Sequence, residues 1–364
     1  MSMAPESGLS PNQRGKTMKK KAAVIGYGGM GSWHANHILN SDVVSLAGIY
    51  DIDPKKSDLA ESRGIHAYQS REELLADKEI ELVTIAIPND SHEEVAVACM
   101  NAGKNVICEK PVTLSLESLE RMIECSKRNG VKFTVHQNRR FDVDYLAMKK
   151  IHDSGEIGEI FDIESRIHGS RGIPSDWRGT KEHGGGMLLD WGVHLIDQVL
   201  NVMGWDVDTV RCRFEHTTNF EVDDGFDLDL TFKAGGKAHI ETKTYNFIAM
   251  PRFYMRGKNG TAYLQDWQQE TDVVKCKYWH ENDVLPVQTA AGLTKTMAPR
   301  DSVTVDTYKV ERPKSDVHDF YRNYVDAIDG KCEQLVTHDQ MRTVLKVIMK
   351  GFESAENGGV EIRF

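Results

Sequence analysis

The stretch of sequence that decides the fold is Ala22-Ala23-Val24-Ile25-Gly26-Tyr27-Gly28-Gly29-Met30-Gly31-Ser32-Trp33-His34-Ala35. It combines a short apolar strand, a G-x-G-x-x-G spacing and the beginning of a helix. Gly26 allows a tight turn out of the strand, Gly28 lets a pyrophosphate approach the backbone, and Gly31 lets the helix pack closely on the strand. The N-terminus of the helix offers N–H groups to the phosphates. The stretch therefore predicts a dinucleotide-binding unit, and a glycine-rich turn without a ligand is the alternative.

An acidic residue at the end of the next predicted strand supports the dinucleotide-binding interpretation. Asp51 follows a strand predicted over residues 43–50 and comes 20 residues after Gly31. An acid at this distance accepts hydrogen bonds from the adenosine ribose hydroxyls and repels a 2′-phosphate. We therefore expect NAD as the cofactor. NADP is the less favoured alternative, since Lys55 and Lys56 are the nearest cations.

Length and composition describe an ordinary globular protein. The chain has 364 residues, a length that is enough for two domains. Of these residues, 40% are hydrophobic and 27% are charged, as in an ordinary globular protein. The net charge of −10 argues against a nucleic-acid partner, and no apolar run reaches the ~18 residues of a membrane span. Residues 1–17 are polar, so we expect a disordered leader rather than a signal peptide. The six cysteines are scattered without a C-x-x-C pair, which predicts reduced thiols and a cytoplasmic protein.

Strands and helices alternate over residues 18–140, the span of the first predicted domain. Strands are predicted over residues 22–25, 43–50, 65–68, 81–87, 105–108 and 132–136. Helices are predicted over residues 32–39, 54–61, 71–75, 91–101 and 115–128. Ser91 and Glu94 have the spacing of a capping box. The alternation predicts a doubly wound parallel sheet, a Rossmann fold, whose ligands bind beyond the carboxyl ends of the strands.

Polar residues follow three of these predicted strands. Asn89 follows the fourth, Lys110 the fifth and Arg140 the sixth. Strand ends are commonly polar loops, and for Asn89 and Arg140 alone that interpretation is sufficient. Lys110 comes after a strand that we expect to have no exposed face, and Pro111 stiffens the chain directly after Lys110. We expect Lys110 to orient a substrate hydroxyl or to take its proton.

The second predicted domain covers residues 141–364 and is rich in strands. The clearest strand is residues 226–233, where apolar and polar residues alternate. Further strands are predicted over residues 159–168, 209–216, 237–245, 252–256, 262–265 and 272–279, and helices over residues 145–152, 316–328 and 339–356. The pattern predicts an α+β domain built on a large, open, mostly antiparallel sheet, and the last helices are free to pack back on the first domain. An open face of this size predicts a homo-oligomer, a dimer or tetramer, formed through the sheet.

Residues 183–201 carry the most informative pattern of the second half. Wound as an α-helix, they place four polar residues on one narrow stripe and apolar residues over most of the remaining surface. The four are Asp190, His194, Asp197 and Asn201. Two interpretations stay open: a solvated face with an Asp–His contact, or an acid–base pair in which Asp190 fixes the tautomer of His194. The spacing also occurs at metal sites, but no third ligand is evident, so we expect no metal.

Three blocks of the sequence, in this order and at this separation, resemble the glucose–fructose oxidoreductase / inositol dehydrogenase / MocA family. They are the glycine-rich strand–turn–helix, Glu109-Lys110-Pro111 and the run GGGMLLDWGVHLID. The resemblance covers the chain from about Lys19 to Phe364, including its late helices. It implies NAD or NADP as cofactor and a secondary alcohol of a sugar or cyclitol as substrate. It also implies a dimer or tetramer that pairs through the open sheet.

The resemblance also implies roles for individual residues. Lys110, Asp190 and His194 match the catalytic lysine, aspartate and histidine of the family, and Trp177-Arg178 matches a pair near the nicotinamide. The cofactor-binding residues expected from the motifs and the resemblance are Gly26, Gly28, Gly29, Met30, Asp51, Ile87, Pro88, Asn89, His92, Glu109, Lys110, Gln137, Trp177 and Arg178. The residues expected to contact the substrate are Lys110, Arg166, Trp177, Asp190 and His194.

The sequence thus predicts an NAD-dependent oxidoreductase that transfers hydride between nicotinamide and a secondary hydroxyl of a sugar, glycoside or cyclitol. One alternative is a deglycosylation enzyme or glycosidase that oxidises sugar C3 transiently and recycles a tightly bound NAD. Another is a non-enzymatic sensor of sugar or NAD built on the same fold. The presence of Lys110, Asp190 and His194 together argues against the sensor.

Overall fold

A computed structural model describes residues 19–278, 286–295 and 297–364 of the chain. In its first half, strands alternate with helices. The strands are β1 (Lys20–Ile25), β2 (Val44–Tyr50), β3 (Leu82–Ile85), β4 (Asn105–Cys108) and β5 (Phe133–Val135). The helices are α1 (Gly29–Leu39), α2 (Pro54–Ser62), α3 (Arg71–Ala76), α4 (His92–Asn101) and α5 (Leu116–Asn129). The predicted leader, residues 1–17, lies outside the described residues.

The first five strands form one parallel sheet in the order β2-β1-β3-β4-β5. All four residues of β3 are buried, as are Val106, Ile107 and Cys108 of β4, because a parallel sheet of this kind is covered by helices on both faces. The carboxyl ends of the strands meet at one edge of the sheet. This is the Rossmann sheet that the sequence predicts.

Two local predictions in this half are wrong. The strand predicted over residues 65–68 is reduced to a single parallel bridge between Ile49 and Ala67, because the chain meets β2 at one residue pair before α3 begins. Ser91 forms no capping box with Glu94. Its backbone is already helical, with φ −96° and ψ −4°, whereas a capping side chain requires an extended backbone.

The second half contains the remaining strands and helices. The helices are α6 (Val143–Ser154), α7 (Val193–Met203), α8 (His318–Ile328) and α9 (His338–Glu356). The strands are β6 (Ile160–His168), β7 (Val207–Glu215), β8 (Gly225–Phe232), β9 (Lys237–Lys243), β10 (Phe253–Gly257), β11 (Gly260–Leu264), β12 (Thr271–Cys276), β13 (Val287–Thr289), β14 (Gly292–Thr294), β15 (Val305–Val310) and β16 (Ile362–Arg363). The strand predicted over residues 272–279 ends earlier, and position 279 lies outside the described residues.

A nine-stranded sheet dominates this half, in the order β15-β12-β11-β10-β6-β9-β8-β7-β16. Its pairings are antiparallel except for the parallel pair β6–β9, so the predicted mostly antiparallel sheet is confirmed. Helices α6, α7 and α9 pack on one face, where alternate side chains such as Leu228 and Ile240 are buried. Charged side chains, including Asp227 and Glu241, lie on the opposite face, which we call the open face.

The last two helices return to the first half of the chain. Phe320, Tyr321 and Tyr324 of α8 are buried in the same core as the five-stranded sheet. The hydroxyl of Tyr324 donates to the carbonyl oxygens of Val106 and Lys132, both at 2.8 Å. Helix α9 contributes residues to both cores. Within the part of the chain that the structure describes, no helix is long and apolar enough to cross a membrane.

Candidate active site

A cavity of about 1130 Å³ lies between the two halves, at the carboxyl edge of the parallel sheet. Both halves contribute to its wall. The first half provides Gly28, Gly29, Met30, Ala86, Ile87, Pro88, Asn89, Glu109, Lys110, Asn138 and Arg139. The second half provides residues that include His168, Arg171, Asp176, Trp177, Arg178, Met187, Asp190, Trp191, His194, Lys243 and Trp267.

The glycine-rich turn forms one end of this cavity. Gly26 has φ +89°, and a Cβ on Gly31 would lie 1.8 Å from the carbonyl oxygen of Gly26, so neither position accepts a side chain. A Cβ on Gly28 or Gly29 would meet no protein atom within 4 Å, because these two residues face open space. Helix α1 begins at Gly29 without a side-chain cap. The turn thus leaves room and free N–H groups for a pyrophosphate, which is the fit that a dinucleotide requires.

Four residues predicted to bind the cofactor are not part of the cavity wall formed by the described residues. Gly26 is the turn residue described above. The carboxylate of Asp51 accepts hydrogen bonds from the backbone N–H groups of Tyr27, at 2.6 Å, and Asp53, at 2.8 Å. His92 is buried. Its ring nitrogens lie 3.0 Å from the carbonyl oxygens of Ile87 and Pro111, so it links the segments that follow β3 and β4. Gln137 contacts His194 instead.

Lys110 and Asp190 meet in the cavity wall. The Lys110 ammonium donates to the Asp190 carboxylate at 2.8 Å and to the Asp190 carbonyl oxygen at 2.9 Å. Arg178 donates to the other carboxylate oxygen at 3.2 Å and pairs with Asp176 at 2.8 Å. Burial opposes ionisation of Asp190, but Lys110 and Arg178 outweigh it and lower the pKa of this carboxyl group. The guanidinium of Arg178 also lies 4.6 Å from the Trp177 ring, so the predicted pair lines the cavity together.

The predicted pairing of Asp190 with His194 is wrong. Nδ1 of His194 lies 3.2 Å from Oε1 of Gln137, and among the described residues no hydrogen bond joins His194 to Asp190. Burial, followed by the charges of Lys110 and Arg139, holds the pKa of His194 well below its usual range. A neutral imidazole that donates Nδ1–H to Gln137 has an unprotonated Nε2.

The conformation of the backbone explains why Asp190 and His194 do not lie on one α-helical stripe. Residues Leu188–Gly192 form a π-helical turn, and α7 begins only at Val193. A π-turn has i→i+5 hydrogen bonds and therefore shifts the residues before it around the axis relative to an α-helix. Asp190 turns toward Lys110 and Arg178 instead of His194. Asp197, also on the predicted stripe, is buried in a two-pronged ion pair with Arg140 at 2.6 and 2.7 Å.

Arg166 does not contact the cavity, contrary to the sequence-based expectation. Its neighbour Ser165 accepts a hydrogen bond from Arg252 on the helix-covered face, so Arg166 lies on the open face. There the guanidinium pairs with Glu164 and lies 3.6 Å from the carboxylate of Glu241. These two carboxylates balance the charge of Arg166 on the open face, outside the cavity wall.

Two regions of the chain match known families. Residues 20–137 match the description "Oxidoreductase family, NAD-binding Rossmann fold", and residues 145–263 match "GFO/IDH/MocA C-terminal domain". The chain belongs to the GFO/IDH/MocA family. A solved structure, "NAD-binding protein from Listeria innocua", is 41% identical, with a TM-score of 0.90 over 95% of this chain and 99% of that chain.

Named proteins of this family match over most of the chain. "Uncharacterized oxidoreductase YhhX" of Escherichia coli (strain K12) is 28% identical over 352 residues, which are 93% of this chain and 98% of YhhX. "Myo-inositol 2-dehydrogenase" of Thermotoga maritima is 29% identical over 264 residues, 70% of this chain and 78% of that protein. The chain is thus an NAD(P)-binding oxidoreductase of the GFO/IDH/MocA family.

Several wall residues escaped the sequence analysis. Asn138 and Arg139 lie three and four positions after the end of β5, so the strand-end rule could have found them. Trp191 lies between Asp190 and His194, with the Arg139 guanidinium 4.0 Å from its ring. Trp267 comes from the turn after β11, and its ring centre lies 6.1 Å from that of Trp191. No local pattern indicates that a residue so distant in sequence reaches a GFO/IDH/MocA active site.

Two clusters of described residues have donor atoms close enough to share a metal ion. One is His34, Glu109 and His136 in the interior of the first half, and the other is Asp227, His239 and Glu241 on the open face. In both, hydrogen bonds already join the donors: Glu109 Oε1 lies 2.8 Å from each imidazole, and His239 Nε2 lies 3.1 Å from Glu241. Hydrogen bonds thus occupy several of these donor atoms, although the buried Nε2 of His136 has no hydrogen-bond partner among the described residues.

Proposed function

We propose that this protein is an NAD-dependent oxidoreductase that transfers hydride between nicotinamide and a secondary hydroxyl of a sugar, glycoside or cyclitol. The observation that carries the proposal is the convergence of Lys110, from the first half, with Asp190 and His194, from the second, in the wall of one cavity. The cavity begins at the glycine-rich turn. A relative named as a myo-inositol 2-dehydrogenase supports the substrate class.

The chain's own groups handle the hydroxyl proton, while a bound NAD supplies the hydride acceptor. His194 is neutral at pH 7, since burial and the charge of Lys110 hold its pKa well below the usual range, so Nε2 can accept the proton. Lys110 uses two of its three N–H groups on Asp190. The third is available to the substrate oxygen, where a positive charge stabilises the alkoxide that forms as the proton leaves.

NAD rather than NADP is the cofactor that Asp51 favours. Its carboxylate stands at the end of β2 and is fixed by two backbone N–H groups from Tyr27 and Asp53. A carboxylate in this place accepts hydrogen bonds from the ribose hydroxyls and repels a 2′-phosphate.

The test is turnover of the purified protein with NAD and a panel of inositols, free sugars and methyl glycosides, followed by NADH absorbance. His194→Ala should reduce kcat by about 10²–10⁴-fold, because the proton acceptor is lost. His152→Ala is the matched control, since that imidazole lies on the outer surface of α6. Release of an aglycone without net NADH would instead support the recycling deglycosylation enzyme. Binding of NAD and a sugar without either reaction would support the sensor.

We further propose that two copies of the chain pair through the open face. Among the described residues, helices α6, α7 and α9 pack on the other face of the nine-stranded sheet. The open face is charged, with His239 between Asp229 and Glu241 and Lys243 bonded to Asp227, so the pairing we propose is polar. Sedimentation at micromolar concentration should give a dimer or tetramer, and a monomer would contradict this proposal.

A further inference from the structure

The buried side chain of Glu109, the residue before Lys110, forms part of the cavity wall. Glu109 follows β4 directly and is only 6% exposed. Oε1 lies 2.8 Å from Nε2 of His34 and 2.8 Å from Nδ1 of His136, and Oε2 accepts the backbone N–H of Lys110 at 3.2 Å. Both oxygens therefore have hydrogen-bond donors, which is the environment of an ionised carboxylate.

The surrounding groups keep this carboxylate charged. Burial opposes its ionisation, but His136 and His34 outweigh burial and hold the pKa of Glu109 well below its usual range. Burial lowers the pKa of His34 to about 4, so His34 is neutral at pH 7. Its other ring nitrogen lies 2.5 Å from the hydroxyl of Tyr321 on α8, which fixes the imidazole in place.

No lysine or arginine of the described chain pairs with Glu109. Four cations of the wall pair with other carboxylates: Lys110 and Arg178 with Asp190, Arg139 with Asp142, and Lys243 with Glu215 and Asp227. Among the described residues, the ion-pair partners of Glu109 are His34 and His136. Glu109 is thus a carboxylate of the cavity wall that has no lysine or arginine partner among the described residues.

We infer that the Glu109 carboxylate makes the site prefer the oxidised cofactor over the reduced one. The inference rests on the proposed function. The nicotinamide ring carries a positive charge in NAD⁺ and none in NADH, so a fixed anion in the wall of the same cavity attracts only the oxidised form. The attraction is strong because the carboxylate is shielded from water. The reduced cofactor then leaves the site more readily than the oxidised cofactor.

Binding measurements without substrate test the inference. Glu109→Gln keeps the shape of the side chain and removes its charge. NADH affinity is read from its fluorescence and NAD⁺ affinity from competition against NADH. In the variant, the ratio of the NAD⁺ dissociation constant to the NADH dissociation constant should rise about tenfold, because only NAD⁺ binding loses an attraction. A residue with a purely structural role would weaken both forms equally.

The control is Glu117→Gln, which removes the charge of an exposed carboxylate on α5, outside the cavity wall, and should leave the ratio within about twofold. If Glu109→Gln does not fold, Glu109→Asp and Glu109→Asn provide the same comparison, and only the uncharged variant should shift the ratio. An unchanged ratio in a variant that binds both forms overturns the inference and leaves the proposed function intact. A wild-type protein that binds neither form overturns both.

Discussion

The ammonium of Lys110 lies 2.8 Å from the carboxylate of Asp190, although the two residues belong to different domains and are 80 positions apart. Their contact joins the end of the parallel sheet to the π-helical turn in the wall of the cavity. Because Asp190 also binds Arg178, one partly buried carboxylate holds two cations in the wall of the site.

Removing either partner of this contact should impair turnover. Lys110→Ala should lower kcat by about 10²–10³-fold, since the alkoxide loses its stabilising charge. Asp190→Asn should also lower kcat, because Lys110 loses the acceptor that positions it. The double variant should lose less than the sum of the two effects, as expected for residues in contact. Lys150→Ala, on the exposed side of α6, is the control, and additive losses would contradict the coupling.

The hydrogen bond between Gln137 and His194 predicts a shift in the pH profile. Gln137→Glu places a carboxylate at the same distance from Nδ1, which favours the imidazolium and raises the pKa of His194. The base is then protonated at higher pH, so the acidic limb of kcat/KM should move to higher pH. Gln69→Glu, at an exposed position of the first domain, should leave the profile unchanged. An unmoved limb in Gln137→Glu would mean that His194 is not the base.

Asp51 provides a test of cofactor preference. Asp51→Ala removes the charge that repels a 2′-phosphate, so the ratio of kcat/KM for NADP to that for NAD should rise by about tenfold or more. Asp58→Ala removes an exposed carboxylate from α2 and is the matched control. Equal use of both cofactors by the wild-type protein would show that Asp51 has another role.

His239 on the open face predicts a pH dependence of stability. Hydrogen bonds to Asp229 and Glu241 raise the pKa of His239 to about 9 from its ordinary 6.5. A raised pKa means that its contribution to the free energy of unfolding is complete below about pH 6.5 and is lost as the pH rises through about 9. Urea denaturation across this range should show a smaller decline in His239→Gln than in the wild type. His152→Gln is the control, and parallel curves for His239→Gln and wild type would contradict the assignment.

Sequence patterns predicted those features whose cause is local. The glycine-rich turn is one, because the close approach of Gly31 to the carbonyl oxygen of Gly26 lies within one short segment. The strands of the parallel sheet are another, since burial on both faces leaves continuous apolar runs. Lys110 was found by the same means, because strand ends and ligand sites coincide in such sheets.

Features that depend on distant contacts could not be predicted. The π-helical turn that separates Asp190 from His194 has no signal in a periodicity of 3.6. The side of the sheet on which Arg166 lies depends on the register of β6 against its neighbours, and one residue of offset reverses it. Trp267 reaches the cavity only because β11 and β10 pair beside β6.

The packing of α8 against the parallel sheet has a consequence for the order in which the chain folds during synthesis. The five strands are complete once Val135 has left the ribosome, yet the core they share also requires Phe320, Tyr321 and Tyr324. Because 185 positions separate Val135 from Phe320, this long stretch must be translated before the parallel sheet can complete its core. The tyrosine that holds His34 beside Glu109 is among the last parts of the active site to be made.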